Sequence, residues 1–257
     1  MKRKNRVGEV TKTKESLGGY ERKIVEDKGS HDLIIEFQDE YKTKVKIQYT
    51  QFQKGNVKNP YHPSVFNIGY IGEGKYKTSV NKRKTLAYSY WFSMLQRCYD
   101  PYFLNKEPTY IDIFVCDEWH NFQNFAEWFY KNYYEINNEK MCLDKDILAK
   151  GNKIYSPKTC CFIPQIINGL FIKNNRRRGD MPIGVSQKCE NGGYQCSCGI
   201  GNNSTIYLST FSTKRNAWLM YKINKELVIQ SIANEYKDDI PQYVYEAMMN
   251  YRVEYDD

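Results

Sequence analysis

No stretch of this chain approaches the ~20 consecutive apolar residues that a bilayer-spanning helix needs. A helical membrane anchor is therefore not expected. The first residues, MKRKNR, are charged, but no apolar segment follows them, so they do not read as a secretory signal. None of the eight cysteines forms a CxxC pair. With no signal for export, reduced thiols in a cytosol are the expectation. The glycine-punctuated stretch from Gly69 to Tyr76 lacks the helix and the Lys-Ser/Thr of a phosphate-binding loop. It reads as tight turns closing a small β module. There is no internal repeat and no low-complexity tract.

What is present is charge and tyrosine. The net charge is +8 and 23 of the 257 residues are Tyr. At 41% hydrophobic and 26% charged, the composition is that of a globular chain rather than a disordered one. A basic, Tyr-rich surface favours nucleic acid, through phosphate attraction and ring stacking. A merely soluble basic protein is the plain alternative.

The most informative stretch is Leu143 to Phe171, LDKDILAKGNKIYSPKTCCFIPQIINGLF. It reads as strand, polar turn, strand, helix. Asp144 and Asp146 lie in the first piece, Gly151-Asn152 breaks it, and Asn168 sits in the closing helix. A carboxylate on a strand and an amide on the next helix are the protein donors that a divalent ion needs beside a phosphate. An ordinary surface hairpin would show the same residues.

Before this stretch, Arg3, Lys4, Arg6, Lys12 and Lys14 read as a mobile basic arm. Leu33–Phe37 and Lys44–Tyr49 alternate with period two and read as strands, with Lys42, Lys44, Lys46 and Gln48 on one face. Ala87, Trp91, Met94, Leu95 and Cys98 follow helical spacing, and Asp100-Pro101 ends that helix. Tyr110 to Val115 reads as a short strand. Asn121 caps a helix with Phe122, Phe125, Ala126 and Phe129 on its inner side. After the stretch, Arg176, Arg177 and Arg178 form a basic hinge suited to phosphate contact. Three short strands follow, at Val185, at Tyr194–Cys198 and at Thr205–Leu208. Then comes a helix capped by Ser212 or Thr213, with Ala217, Met220 or Tyr221, Leu227 or Val228, and Ile232 inside. Pro241 separates it from a last helix over Tyr243 to Tyr255, whose acidic end faces water.

The order of residues from 143 to 171, with RCY at Cys98 and VCDEW at Cys116, resembles the ββα-metal core of HNH (His-Me finger) nucleases of the phage homing-endonuclease kind. The resemblance implies that Asp144 and Asn168 hold a magnesium or manganese ion and that Asn152 ties the loop. Lys145 stands where the family has its catalytic His. A lysine amine, with an ordinary pKa of about 10.4, is a poor base at neutral pH. The base then falls to Lys145, Asp146 or His120, or to none. Cys98, Cys116 and Cys160 or Cys161 fall at matching points of the pattern. They read as buried structural thiols, with a zinc site shared with His120 as the alternative.

The last module, with GV, YQCSC, IYLSTFSTKRNA and Tyr221, resembles the APETALA-type (plant ethylene-response-factor) DNA-binding domain. That family lays one sheet face in the major groove. The matching outward positions here are Ser186, Lys188, Ser197, Thr205 and Tyr207. The expected architecture is α+β in three modules: a β-rich module over 1–80, an HNH-like ββα domain over 82–175, and a sheet-on-helix domain over 181–257. The expected function is binding of double-stranded DNA, with metal-dependent phosphodiester cleavage if a base exists. The alternatives are a non-catalytic DNA binder and a phage factor that binds a host nucleoprotein defence complex.

Overall fold

The computed structural model describes residues 5–172, 179–187, 192–201 and 204–257. The chain is α+β with several small antiparallel sheets, and it divides into two compact units, 1–131 and 132–257. The dividing point falls inside the 82–175 stretch that reads as one module in the sequence.

The first unit opens with a four-stranded antiparallel meander: β1 (Val10–Lys12), β2 (Glu21–Gly29), β3 (Asp32–Phe37) and β4 (Lys44–Ile47). A short helix, α1 (Tyr49–Lys54), follows. Alternation places Leu33, Ile35 and Phe37 inward, where they join Ile24, Ile47, Phe52 and Val57 in one core. Lys44 and Lys46 point outward to Glu36 and Asp32, as the period-two pattern requires. The basic arm is not free from residue 6 onward. Arg6 bonds Asp27 through its backbone N–H (3.0 Å) and its guanidinium (3.3 Å), and Lys12 lies within β1. Arg3 and Lys4 lie outside the described residues. Strand β2 is invisible to hydropathy because ERKIVEDK shows no clean alternation. Its Arg22 is fully buried and donates to the carbonyls of Lys12 and Phe52.

A small hairpin, β5 (Ser79–Val80) and β6 (Arg83–Lys84), leads into α2 (Leu86–Tyr99). The Oγ1 of Thr85 caps α2 by accepting from the N–H of Tyr88. Helix α2 buries the expected stripe of Ala87, Trp91, Met94, Leu95 and Cys98. Asp100 both ends α2 and caps α3 (Pro101–Lys106), with Pro101 at the first helical position. Residues 108–115 are not a continuous strand. Pro108–Tyr110 is a 3-10 turn and only β7 (Phe114–Val115) is extended. The side chain of Asn121 accepts from the N–H of Gln123 to open α4 (Phe122–Asn132). The glycine stretch runs beside α2 and α4 instead of closing the β module. Tyr70 exchanges backbone hydrogen bonds with His120 and Phe122, and a Cβ on Gly69 would sit 2.4 Å from Leu95.

The second unit begins with β8 (Met141–Asp144), a turn, β9 (Ile154–Tyr155), β10 (Cys161–Pro164) and α5 (Gln165–Leu170). Strand β8 pairs with β10, with Asp144 opposite Cys161, and α5 packs on both. A three-stranded sheet follows: β11 (Val185–Gln187), β12 (Tyr194–Gly201) and β13 (Ser204–Phe211). It packs on α6 (Lys214–Glu235), whose first turn is capped by Thr213 accepting from the N–H of Asn216. Cys196, Cys198, Ala217, Trp218 and Tyr221 form the core between them. Leu227 is not inside. Lys225 is, and it donates 2.9 Å to the carbonyl of Gly199.

The last helix, α7 (Gln242–Met249), is shorter than its sequence implied. Residues 250–257 run back as a strap. Val253 is buried, Lys222 donates to its carbonyl, and Lys150 bonds both the carbonyl of Arg252 (2.8 Å) and the carboxylate of Asp257 (2.8 Å). Asp257 thus turns inward, while Glu254 and Asp256 are exposed. Among the described residues no helix is long and apolar enough to cross a membrane.

Candidate functional site

The turn after β8 is built by its own polar side chains. Asp144 Oδ1 accepts from the N–H groups of Asp146 (2.8 Å) and Ile147 (2.7 Å), which folds the chain back immediately after the strand. Gly151, at φ +76°, supplies the left-handed residue that reverses it. Asn152 closes it: Nδ2 donates to the carbonyls of Lys145 (2.9 Å) and Ile154 (2.7 Å), and Oδ1 accepts from the N–H of Ile154 (3.2 Å).

Lys145 is buried. Its Nζ donates to both oxygens of Asp146 (2.7 and 2.8 Å) and to the carbonyl of Asn152 (2.9 Å). Those three acceptors match the three protons of an ammonium. Asp146 accepts that contact through both oxygens while its side chain stays 46% exposed.

Asp144 is half-buried by its surface yet closely surrounded. Burial raises its pKa above the usual carboxylate value, against the two backbone N–H bonds that lower it; the charge of Asp146 adds to the rise and that of Lys145 opposes it. No hydrogen bond reaches Oδ2 of Asp144 or the side-chain amide of Asn168 among the described residues, and Asn168 is half-buried on α5. One open carboxylate oxygen and one open amide suit, in kind, a magnesium-type ion that keeps several waters and takes a phosphate. Among the described residues no three His, Cys, Asp or Glu side chains gather for a metal.

His120 belongs to the first unit and Asp144 to the second. Its Nδ1 lies 3.8 Å from Asp117, and its Nε2 is buried with no hydrogen-bond partner among the described residues. Burial lowers its pKa, with Asp117 and the Val115 backbone acting the other way. A neutral ring with its free nitrogen closed off from solvent is a core histidine in form. Cys98 and Cys160 are buried and Cys116 is half-buried, and desolvation raises the Cys116 thiol above its ordinary value.

The three-stranded sheet separates its faces by chemistry. Register aligns Ser186 with Gln195 and Thr210, Ser197 with Tyr207, and Gly199 with Thr205. The other parity carries Val185, Cys196 and Cys198 toward α6. Ser186, Thr205, Tyr207 and Thr210 are exposed, and the hydroxyls of Tyr207 and Thr210 bond at 2.8 Å. Gln195 and Thr210 are the members that the sequence reading omits. Gln195 was findable, two residues from Ser197. Thr210 was not, because it lies three residues from Tyr207 and plain alternation sends it inward. The register shift at Cys196/Ser197 returns it to the outer face. Arg176, Arg177, Arg178 and Lys188 lie outside the described residues.

Comparison with protein-family models, curated proteins and solved structures gave no match to this chain.

Proposed function

We propose that this chain binds double-stranded DNA, reading bases with the outer face of β11–β12–β13. The observation that carries the reading is the uncharged face of Ser186, Gln195, Ser197, Thr205, Tyr207 and Thr210 on a sheet narrow enough for the major groove. Gln is a bidentate partner for adenine, hydroxyls suit any base edge, and a ring or methyl group packs on thymine. The net charge of +8 supplies attraction to phosphate, with Arg176, Arg177, Arg178 and Lys188 as the proposed local contacts. Asp144 and Asn168 are the proposed holders of a divalent ion beside one phosphodiester, which that ion would polarise. In this reading Asn152 fixes the loop and Lys145 neutralises Asp146. A base for hydrolysis is not among them, so binding is the primary function and cleavage the conditional one.

Gel shifts over a salt series test this. Changing Gln195 and Tyr207 to Ala should weaken discrimination between sequences and leave the salt slope unchanged. Arg176→Ala should reduce the slope by about one phosphate contact on all sequences. No affinity for any duplex at low salt refutes the reading. Plasmid nicking with manganese, lost in Asp144→Ala, would add cleavage.

A further inference from the structure

Helix α6 carries a second stripe on the side away from the sheet. Leu219, Ile223 and Leu227 recur every fourth residue and are 39%, 55% and 58% exposed. Asn216 and Gln230 extend the line at either end, so that it holds no charged residue. Beside it Lys222 and Glu226 are paired with each other at 2.9 Å, and the exposed Arg215 lies one turn before Leu219. Read from either end, the line has the same character about Ile223: amide, leucine, isoleucine, leucine, amide.

We propose that this stripe is a contact with a second copy of this chain, packed antiparallel. Every-fourth-residue ridges are the surfaces that interdigitate in the commonest class of helix packing. Two-fold pairing would put Ile223 on Ile223 of the second copy, Leu219 on its Leu227, and Asn216 on its Gln230. Such a contact must be self-complementary, because the same patch serves both sides. Charge points the same way. Two copies at +8 each repel, so their contact must be free of lysine and arginine, as this line is.

The stripe from Leu219 to Leu227 is about 12 Å long at 1.5 Å per residue. It falls well short of the ~800 Å² per partner of a standard interface. The dimer is accordingly weak and concentration-dependent. Because α6 lies behind the sheet, pairing leaves the face of Gln195 and Tyr207 open on both copies. The two faces then point away from each other. If the DNA reading holds, one dimer joins two duplex segments instead of two half-sites on one duplex; the dimer itself does not depend on that reading.

Oxidative crosslinking of the full chain tests it, with the unsubstituted chain as baseline. Ile223→Cys should form a covalent dimer on its own. Leu219→Cys and Leu227→Cys should crosslink when mixed and stay at baseline separately. Tyr207→Cys, on the opposite face, should stay at baseline. In sedimentation equilibrium at high micromolar concentration the unsubstituted chain should gain mass, and Ile223→Glu should remain monomeric with unchanged circular dichroism. The proposal is overturned if Ile223→Cys crosslinks no faster than Tyr207→Cys, if Leu219→Cys alone dimerises as well as the mixture, or if the unsubstituted chain stays monomeric.

Discussion

Replacing Asn152 by Ala removes three hydrogen bonds from the turn that carries Asp144. Two go to groups of Ile154, which is 45% exposed and whose carbonyl also accepts from Thr159 Oγ1 (2.9 Å). Water and Thr159 can replace most of what those two supply. The third goes to the carbonyl of Lys145, a residue 8% exposed. A buried acceptor left without a donor costs about 1–3 kcal/mol, and each solvent-compensated bond about 0.5–1. The sum is about 2–5 kcal/mol. With a urea m-value of about 1–3 kcal/mol/M for small domains, the midpoint should fall by roughly 1 M or more. Amide exchange gives a local readout. The N–H groups of Asp146 and Ile147, which donate to Asp144, should exchange faster because the turn no longer holds them. Gln165→Ala, exposed on α5 and with no side-chain hydrogen bond among the described residues, is the control and should stay within about 0.5 kcal/mol. An Asn152→Ala midpoint indistinguishable from that control, with Ile147 exchange unchanged, refutes the account of the turn.

Asp144→Asn keeps the acceptor for Asp146 and Ile147 but removes a charge that burial penalises. In the wild type the folded state holds this proton more tightly than the unfolded one. Its stability therefore rises as pH falls through the raised folded pKa toward 3.8. Urea midpoints against pH should lose that slope in Asp144→Asn, with the variant the more stable at neutral pH. Lys225 has the opposite sign: burial lowers its pKa, so the unfolded chain takes up the proton more readily. Wild-type stability should rise with pH between the lowered folded value and 10.5, and Lys225→Met should flatten that rise. Gly184 sits at φ +77°, and a Cβ there would come within 1.9 Å of the Tyr221 ring. Gly184→Ala should cost about 3 kcal/mol by thermal denaturation, through backbone strain and overpacking together.

The elements legible in the sequence are those whose signal is local. The α2 stripe, the Asn121 cap, the α6 cap narrowed to Ser212 or Thr213, and the order of strand, turn, strand and helix over 143–171 depend on residues a few positions apart. Three buried cations were illegible for one shared reason. Arg22, Lys145 and Lys225 are each held by main-chain carbonyls, of Lys12 and Phe52, of Asn152, and of Gly199. Hydropathy scores a cation as a surface residue and knows nothing of carbonyls brought up from elsewhere in the fold. For that reason helical spacing offers Leu227 or Val228 for the inner face and passes over Lys225, whereas Val228 packs on the core and Lys225 is buried. It is also why the three bonds donated by Lys145 Nζ were not foreseen. The inward turn of Asp257 was hidden in the same way, since its partner Lys150 lies more than a hundred residues earlier.

The strap of residues 250–257 makes the turn after β8 answerable to a distant piece of chain. Lys150 is clamped by Arg252 and Asp257 and lies over the ring of Tyr251, while Val253 is fastened to α6 through Lys222 and Glu226. The loop carrying Asp144 is therefore moored to α6 by a separate cable. A protease nick between Met249 and Val253 would cut no strand of either sheet, yet it would let that loop drift.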